Sequence, residues 1–592
     1  MPKAKIPGGG PDRWIDLSMN LALILACAVA LTPNLADADL WGHVRYGLDV
    51  ITDGLPMTTT YSYTATGHPW VNHENLSEVT LALVATFVGS RGLLIMKCLL
   101  GLGVIGMIIH NGHRQHARLL SISAVALLVS VNVTYHWSVR PQVFSYSLFA
   151  VLLALVTWCF TGWQGQWRLA YFHRWARATE DVTHPDDLKR IDYLWFSPLI
   201  MLVWVNTHGA FVAGFCIFAS LLGCRCLELL ITWGRQSWRV VAKILGIVIV
   251  SALVTLINPY GVGLHQWLIE SLGNPRPEIV EWHAPDLFNA LAIPLLLMTA
   301  LWVIALVGSR LPLDFSYLLV MAVTFWQAYT HQRHVPFFAI AFGFWMTPHI
   351  DSLFRRLFKS VSQRELGTDM SPVFKVAVAT GLLFVFSIIS FRLVDRLGVL
   401  QVKRNEFPVS AFQYMADQDL RGNLVVTYNW AQYAIAAFGQ DESGEPRMRV
   451  GFDGRFRTCY PQRIVDMHFD FIMGDGGPER RWRGNDSHPF DPALVLEYQH
   501  PDLVLISRNQ EPSVHTMQQH ADRWILLYQD ELAQLWGRSE KYDEPQLATY
   551  LPETERHITE QEQTGFQAWP ALPRFGTRSS QLVRAETRSS DG

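Results

Sequence analysis

Apolar runs of roughly 17–22 residues recur along the first two-thirds of the chain, each long enough to cross a hydrocarbon layer of ~30 Å. They predict spanning helices over 14–33, 92–110, 117–135, 143–161, 193–207, 209–232, 239–257, 289–309, 311–329, 334–350 and 371–391. A further apolar stretch, 76–89, is about 14 residues long and falls below the usual spanning length. Beyond residue 400 the pattern changes. Short runs at 424–428, 448–452, 503–507 and 524–528 read as strands and 430–438 as a helix, and strands separated by helices predict an α/β domain. Residues 541–592, rich in Glu, Gln, Arg and Ser, read as a disordered tail. The expected fold class is an α-helical polytopic membrane protein of about eleven spans with a C-terminal extracytoplasmic α/β domain. Its division would be 1–394 (including an outer loop, 34–75), 395–540, and the tail.

Composition sharpens this picture. Only 17% of the 592 residues are Asp, Glu, Lys or Arg, against about 25% in soluble domains. More than half of the acidic residues follow position 394, so the apolar part is poorer still. The balance of 48 basic against 51 acidic residues argues against a nucleic-acid partner. Of seven cysteines only Cys459 lies in the C-terminal module, which excludes a disulfide framework there, and Cys224 and Cys226 read as structural rather than zinc-binding. Lys3, Lys5 and Arg13 before an apolar run containing Ala28-Val29-Ala30 look like a signal peptide; with so many later spans, the run reads as an uncleaved first helix.

Loop charge gives the orientation. The positive-inside rule places Arg168, Arg174, Arg177, Lys189 and Arg190 in the cytoplasm, with the 225–243 connection and Arg355, Arg356, Lys359 and Arg364. Arg114 and Arg118 are then inside too, and only two crossings fit before residue 111. The 76–89 segment is expected to lie on the outer surface or to re-enter. Every polar-rich connection falls outside: 34–75, 136–142, 206–208, 258–288, 330–334 and everything after 392. Any chemistry is therefore expected to be extracytoplasmic, in the cell (inner or plasma) membrane.

The candidate chemistry lies in those connections. Asp37 and Asp39 directly follow the first span, and carboxylates at a membrane surface are costly unless they bind a cation or accept a proton. The competing reading is a helix N-terminus favoured by the dipole. Leu40, Trp41, Val44 and Leu48 recur at helical spacing, as in a helix lying on the membrane interface. His73 and Glu74 are potential ligands, and Trp70 a potential interfacial anchor. Arg140, His208, Asn258, Tyr260, Glu281, Trp282, Arg333 and His334 sit at outer ends of spans. An isolated Arg there usually snorkels to head groups, but cations from two connections beside carboxylates suit an anionic, lipid-linked substrate. In the C-terminal module Trp430, Tyr433, Asp453 and Arg455 could hold a sugar, or could be core and a turn.

These residues resemble the GT-C superfamily of membrane glycosyltransferases, which carry an acidic motif in the first outer loop; Asp37-Ala38-Asp39 matches it in position and type. A narrower resemblance is to bacterial membrane proteins sharing Asp-x-Asp-x-Trp-x-His (37–43, ending at His43), Pro-Trp-x-x-His-Glu (69–74) and Arg-Pro-Gln-x-Phe (140–144). They also share Trp-x-Asn-x-His-Gly (204–209), Asn-Pro-Tyr-Gly (258–261), Glu-Trp (281–282) and Asp-Gly-Arg (453–455). The resemblance implies transfer of a sugar from a polyprenyl-phosphate donor to a glycan, lipid or protein acceptor. Asp37 or Asp39 would be the general base or bind acceptor or metal. The substrate would be held by His43, His73, Glu74, Arg140, His208, Asn258, Tyr260, Glu281, Trp282, Arg333 and His334. A divalent cation is a candidate cofactor. The alternatives are a polysaccharide or lipid transporter, which would want ionisable groups near mid-span, and a non-catalytic envelope scaffold.

Overall fold

The computed structural model describes residues 13–163, 184–357, 372–439, 446–477 and 479–575. Arg168, Arg174, Arg177, Lys359 and Arg364 lie outside the described residues. The chain divides into two units. The first comprises Met1–Pro33, Leu94–Gly261 and Glu281–Gly398; the second comprises Asn34–Leu93, Val262–Val280 and Val399–Gly592. The outer loop, expected with the transmembrane part, thus groups with the C-terminal module.

In the first unit each of the eleven predicted spans falls on a helix. Five helices among the described residues are long and apolar enough to cross a membrane: Asn75–Arg114, Gln142–Cys159, Phe211–Leu256, Ala290–Gly308 and Val376–Gly398. Leu17–Ala30, Leu119–Thr134 and Ile191–Val205 are shorter apolar helices. The Asn75–Arg114 helix is broken at Gly89, whose φ of 74° lies in the left-handed region that glycine adopts without strain. The 76–89 segment is therefore a helix separate from the one that follows.

Val335–Leu357 is the central helix. Its run Val-Pro-Phe-Phe-Ala-Ile-Ala-Phe-Gly-Phe-Trp-Met is apolar on every face, which is how a fully surrounded helix reads. It packs on Leu119–Thr134, Phe315–Thr330, Ile293–Gly308 and Gln142–Cys159. Exposed Leu99, Ile249, Val303, Ile304, Val307, Phe384 and Phe391 give this unit an apolar exterior, as a hydrocarbon surround requires.

Several cations counted toward orientation are paired. Arg225 is buried, donating to Glu228 Oε2 (2.9 Å) and to Asp314. Arg118 and Arg355 both donate to Asp351, at 3.1 and 2.6 Å. The Arg225–Glu228 pair is buried, and each group satisfies the other where water cannot.

The second unit is built on a six-stranded mixed sheet. Its strands are β2 (Gly422–Val426), β3 (Met448–Val450), β4 (Leu503–Ser507), β5 (Trp524–Gln529), β6 (Ala533–Arg538) and β7 (His557–Ile558), in the order β3-β2-β4-β6-β5-β7. β2 pairs in parallel with β3 and β4, and β6 is antiparallel to β4 and β5. β4 is buried along its whole length, as a central strand flanked on both faces should be. A separate pair joins β1 (Gln401–Lys403) to β8 (Phe566–Ala568).

β7 and β8 lie in the stretch expected to be a disordered tail, so residues 541–575 correct that expectation. Backbone pairing, rather than apolar content, holds them: β7 joins β5, β8 joins β1, and Trp569 donates to Leu400 O at 2.8 Å. Residues 576–592 lie outside the described residues.

The helix Leu40–Asp53 has the predicted apolar face, but that face meets protein. Leu40, Trp41 and Val44 are buried, and the helix packs on Ala431–Phe438. Trp41 stacks on Tyr433 at 4.5 Å and donates to Pro570 O at 2.8 Å. A membrane-interface role for this helix is replaced by packing on the C-terminal module.

Candidate functional site

Asp37 and Asp39 share one turn but do different work. Asp37 Oδ1 accepts the backbone N–H of Asp39 at 3.0 Å, closing an Asx turn. Asp39 precedes the helix Leu40–Asp53 yet makes no side-chain capping bond. Its carboxylate instead lies beside the second element of the Asp-Gly-Arg motif. A methyl group on Gly454 would sit 2.5 Å from Asp39 Oδ1 and 2.7 Å from Gln432 Nε2. Gly42 serves the same close approach, since a methyl there would meet Gln432 Oε1 at 2.0 Å. Gly454→Ala should therefore displace the Asp39 carboxylate at normal expression.

One turn into the same helix, His43 Nδ1 meets Glu78 Oε1 at 3.1 Å and Glu74 Oε2 at 3.9 Å. Glu78 is fixed from its other side by Asn72 Nδ2 at 2.6 Å, and Asn72 Oδ1 accepts the Glu74 N–H at 3.1 Å. Burial opposes the imidazolium of His43. The Glu78 hydrogen bond and the charges of Glu74, Glu78 and Asp39 outweigh it, holding the His43 pKa above its ordinary value. The donor atoms of His43, Glu74 and Glu78 all lie within 4.8 Å of one another. One imidazole with two carboxylates is a donor set that fits a divalent zinc- or manganese-class ion. His73 lies next to this group: its Nε2 is 3.9 Å from Glu74 Oε1, and its ring is 5.3 Å from Trp267.

The Asp-Gly-Arg motif itself is a buried latch. Asp453 accepts from Arg455 Nη2 at 2.7 Å, Arg455 Nε at 2.9 Å and Tyr460 OH at 2.6 Å. Burial pushes the Asp453 carboxyl up, but the Arg455 charge and these bonds hold it below the usual carboxylate range. The guanidinium lies over Trp70 (4.6 Å), Tyr46 (4.9 Å) and Tyr61 (5.1 Å), and reaches Thr59 Oγ1 at 3.2 Å. Trp70 is thus a buried platform for Arg455 and not an interfacial anchor. Trp430 and Tyr433 are core residues.

A second group forms within the first unit, where Arg140 Nη1 donates to Glu281 Oε1 at 2.7 Å. Arg140 is the main cause that lowers the Glu281 pKa; burial opposes it, and Arg333 and His136 add to it. Burial pushes His136 down to about 4. Arg333 lies over the Trp282 ring at 4.6 Å, and His331 Nδ1 is 2.6 Å from Trp282 O. His334 stands 5.7 Å from His331, ring to ring, and its Nδ1 is 3.0 Å from Gln327 Oε1. Two connections, 136–142 and 281–283, and the turn before Val335–Leu357 therefore supply two guanidiniums, an indole and several imidazoles to one place.

The remaining predicted residues are committed locally. His208 is buried, and its Nδ1 accepts the Ala210 N–H at 3.1 Å, so the ring proton belongs on Nε2; Ser145 Oγ lies 2.9 Å from the same Nδ1 and accepts from Trp204 Nε1 at 2.7 Å. Asn258 Nδ2 donates to Thr255 O and Gly261 O, and its Oδ1 accepts the Tyr260 N–H at 2.8 Å. The Asn-Pro-Tyr-Gly motif is thus a self-bonded turn, and Tyr260 enters it through its backbone.

The fold superposes on the Archaeoglobus fulgidus oligosaccharyltransferase in the apo form with a TM-score of 0.51. Identity is 11%, covering 85% of this chain and 71% of that one. AglB from the same organism, in complex with an inhibitory peptide and a dolichol-phosphate, gives 0.50 at 11% identity over 86% and 71%. ArnT from Cupriavidus metallidurans bound to undecaprenyl phosphate gives 0.46 at 11% over 92% and 100%. The chain has a GT-C fold. No protein-family model and no curated protein matches the sequence. Five of its helices among the described residues are long and apolar enough to cross a membrane.

Residues of interest that sequence reasoning missed are Glu78, Asn72 and Gln432, with His136 in the first unit. Glu78 carried a signal: it is the only carboxylate in the 76–89 segment and stands four residues from Glu74, hence on one helix face with it. Gln432 carried none, because its importance comes from a close approach across hundreds of residues.

Proposed function

We propose that the protein is a membrane glycosyltransferase that moves a sugar from a polyprenyl-phosphate donor to an extracytoplasmic acceptor. The observation that carries this reading is Asp39, a first-loop carboxylate at the start of the helix Leu40–Asp53, in a chain with a GT-C fold. The AglB complex with dolichol-phosphate supports a lipid-phosphate donor. In the step proposed, the acceptor hydroxyl gives its proton to Asp39 as its oxygen bonds the anomeric carbon. The bond from that carbon to phosphate oxygen breaks, and the phosphate leaves with the electron pair. Asp37 fixes the turn that presents Asp39. Within the first unit, Arg140 and Arg333 are guanidiniums of the kind that binds a phosphate. Trp282 and Glu281 hold those two guanidiniums in place.

A divalent cation, where bound, would be held by His43, Glu74 and Glu78 and would supply charge for orienting the acceptor. Manganese or zinc should then stabilise the purified protein by about 2.7 kcal/mol at a hundredfold excess over Kd, read as a rise in melting temperature. Glu74→Gln, at a half-buried position, should abolish that rise. An equal rise in the variant would place the ion elsewhere.

Orientation has its own test. A cysteine at Glu180 or Ser360 should resist a membrane-impermeant thiol reagent in intact cells, and one at Arg480 should react. The reverse pattern would put Asp39 on the cytoplasmic side. The activity itself is tested by incubating the purified protein with a lipid extract of the parent membranes and an envelope acceptor fraction. Release of polyprenyl phosphate, followed by mass spectrometry, is the expected result.

A further inference from the structure

The C-terminal module holds a groove of about 430 Å³ that the proposed transfer chemistry does not use. Its walls come from two stretches far apart in sequence, 404–417 and 557–573, with Tyr528 between them. The second stretch is positioned by the pairing of β7 with β5 and of β8 with β1. It belongs to the segment whose composition reads as an unstructured tail.

One wall is aromatic. Tyr414, Tyr528 and His557 form a continuous row, with ring centroids 5.2 and 5.3 Å apart; His557 lies nearly parallel to Tyr528, at 23°, and forms the exposed end of the row. Much of the rest is amide, from Gln413, Gln561, Gln563 and Gln567. Each primary amide offers two donors and an acceptor. The charged side chains, Arg404 and Asp417, cancel.

Part of this polar set is already organised. Arg404 Nη2 donates to Ser410 Oγ at 2.8 Å and to Gln563 Oε1 at 3.2 Å, and Gln413 Nε2 donates to Asp417 Oδ1 at 3.0 Å. Part is open. Arg404 Nε is buried with no hydrogen-bond partner, and Gln561 and Gln567 make no side-chain hydrogen bond among the described residues.

These features select a ligand class. Small-molecule sites are mostly apolar with a few polar groups; here the proportion is reversed, which disfavours an apolar ligand. An anion would call for surplus guanidinium or ammonium groups, and the charge here sums to zero. Mixed donors and acceptors beside ring faces suit a ring bearing many hydroxyls, since each hydroxyl both donates and accepts and the C–H face of a sugar lies on an aromatic ring. We propose that this groove binds a neutral oligosaccharide. Calling that oligosaccharide the acceptor or product rests on the glycosyl-transfer reading; the binding itself does not.

The test uses the full chain in lipid nanodiscs, which avoids sugar-headed detergents, labelled and applied to an array of neutral gluco-, manno- and galacto-configured oligosaccharides and their uronic and sulfated counterparts. Neutral oligosaccharides should be retained. Gln561→Ala,Gln567→Ala and His557→Ala, all at exposed positions, should weaken binding about tenfold, the loss expected for about two hydrogen bonds or a ring contact. Retention of acidic glycans alone, of none, or equally by wild type and variants would overturn the proposal. Sugar binding by a wild-type protein that transfers nothing would overturn the transfer reading and leave the groove. Transfer with binding unchanged in the variants would do the opposite.

Discussion

Replacing Asp39 with Asn should lower glycan product by about 10²–10⁴-fold, the usual contribution of a general base, with the protein still present in the membrane in normal amounts. Asn keeps the size and hydrogen-bonding capacity of the side chain but cannot take a proton. Asp39 makes no capping bond, so the helix Leu40–Asp53 does not need its charge to start. Asp37→Asn should be milder, because an amide oxygen can still accept the Asp39 N–H that Asp37 Oδ1 accepts at 3.0 Å. The unequal pair is the diagnostic result, read by product per unit of membrane protein. Equal losses would mean that the turn matters and not the proton acceptor.

Arg455→Met should lower the stability of the second unit by about 3–5 kcal/mol, the cost of leaving one partner of a buried ion pair alone. Asp453 would keep only its bond from Tyr460 (2.6 Å) and a backbone N–H, and the Trp70, Tyr46 and Tyr61 rings would lose the cation they enclose. Thermal unfolding and limited proteolysis within 54–73 should both report the loss. Adding Asp453→Asn should recover part of it, since the uncompensated charge is then removed. A loss below about 1 kcal/mol for Arg455→Met would mean that the pair behaves as a surface bridge.

The helices of the first unit were legible because their apolar runs are long, and each of the eleven runs coincides with a helix. The strands β2, β4 and β5 were legible because they are rich in Val, Ile and Leu, and β3 because apolar Met448 and Val450 alternate with Arg449. β6, Ala-Gln-Leu-Trp-Gly-Arg, was not, although all six residues are buried: Gln534 and Arg538 find partners in neighbouring loops and strands, which a local pattern does not reveal. The same blindness hid β7 and β8, whose order comes from backbone pairing. Residue types pointed to the polar groups of each unit, Asp39, His43 and Glu74 in the second and Arg140, Glu281 and Arg333 in the first, because charged side chains are rare in an apolar chain. They pointed equally to Asn258, whose polar atoms are consumed in its own turn. A sequence lists polar groups but not which are already paired.

The most direct measurement is mass spectrometry of envelope glycans and polyprenyl-linked precursors from a deletion strain carrying either the wild-type gene or the Asp37→Asn,Asp39→Asn variant. The wild type should restore a missing glycan, and the variant, at equal membrane abundance, should leave it missing while the lipid-linked donor accumulates. Full glycan product from the double variant would contradict the account.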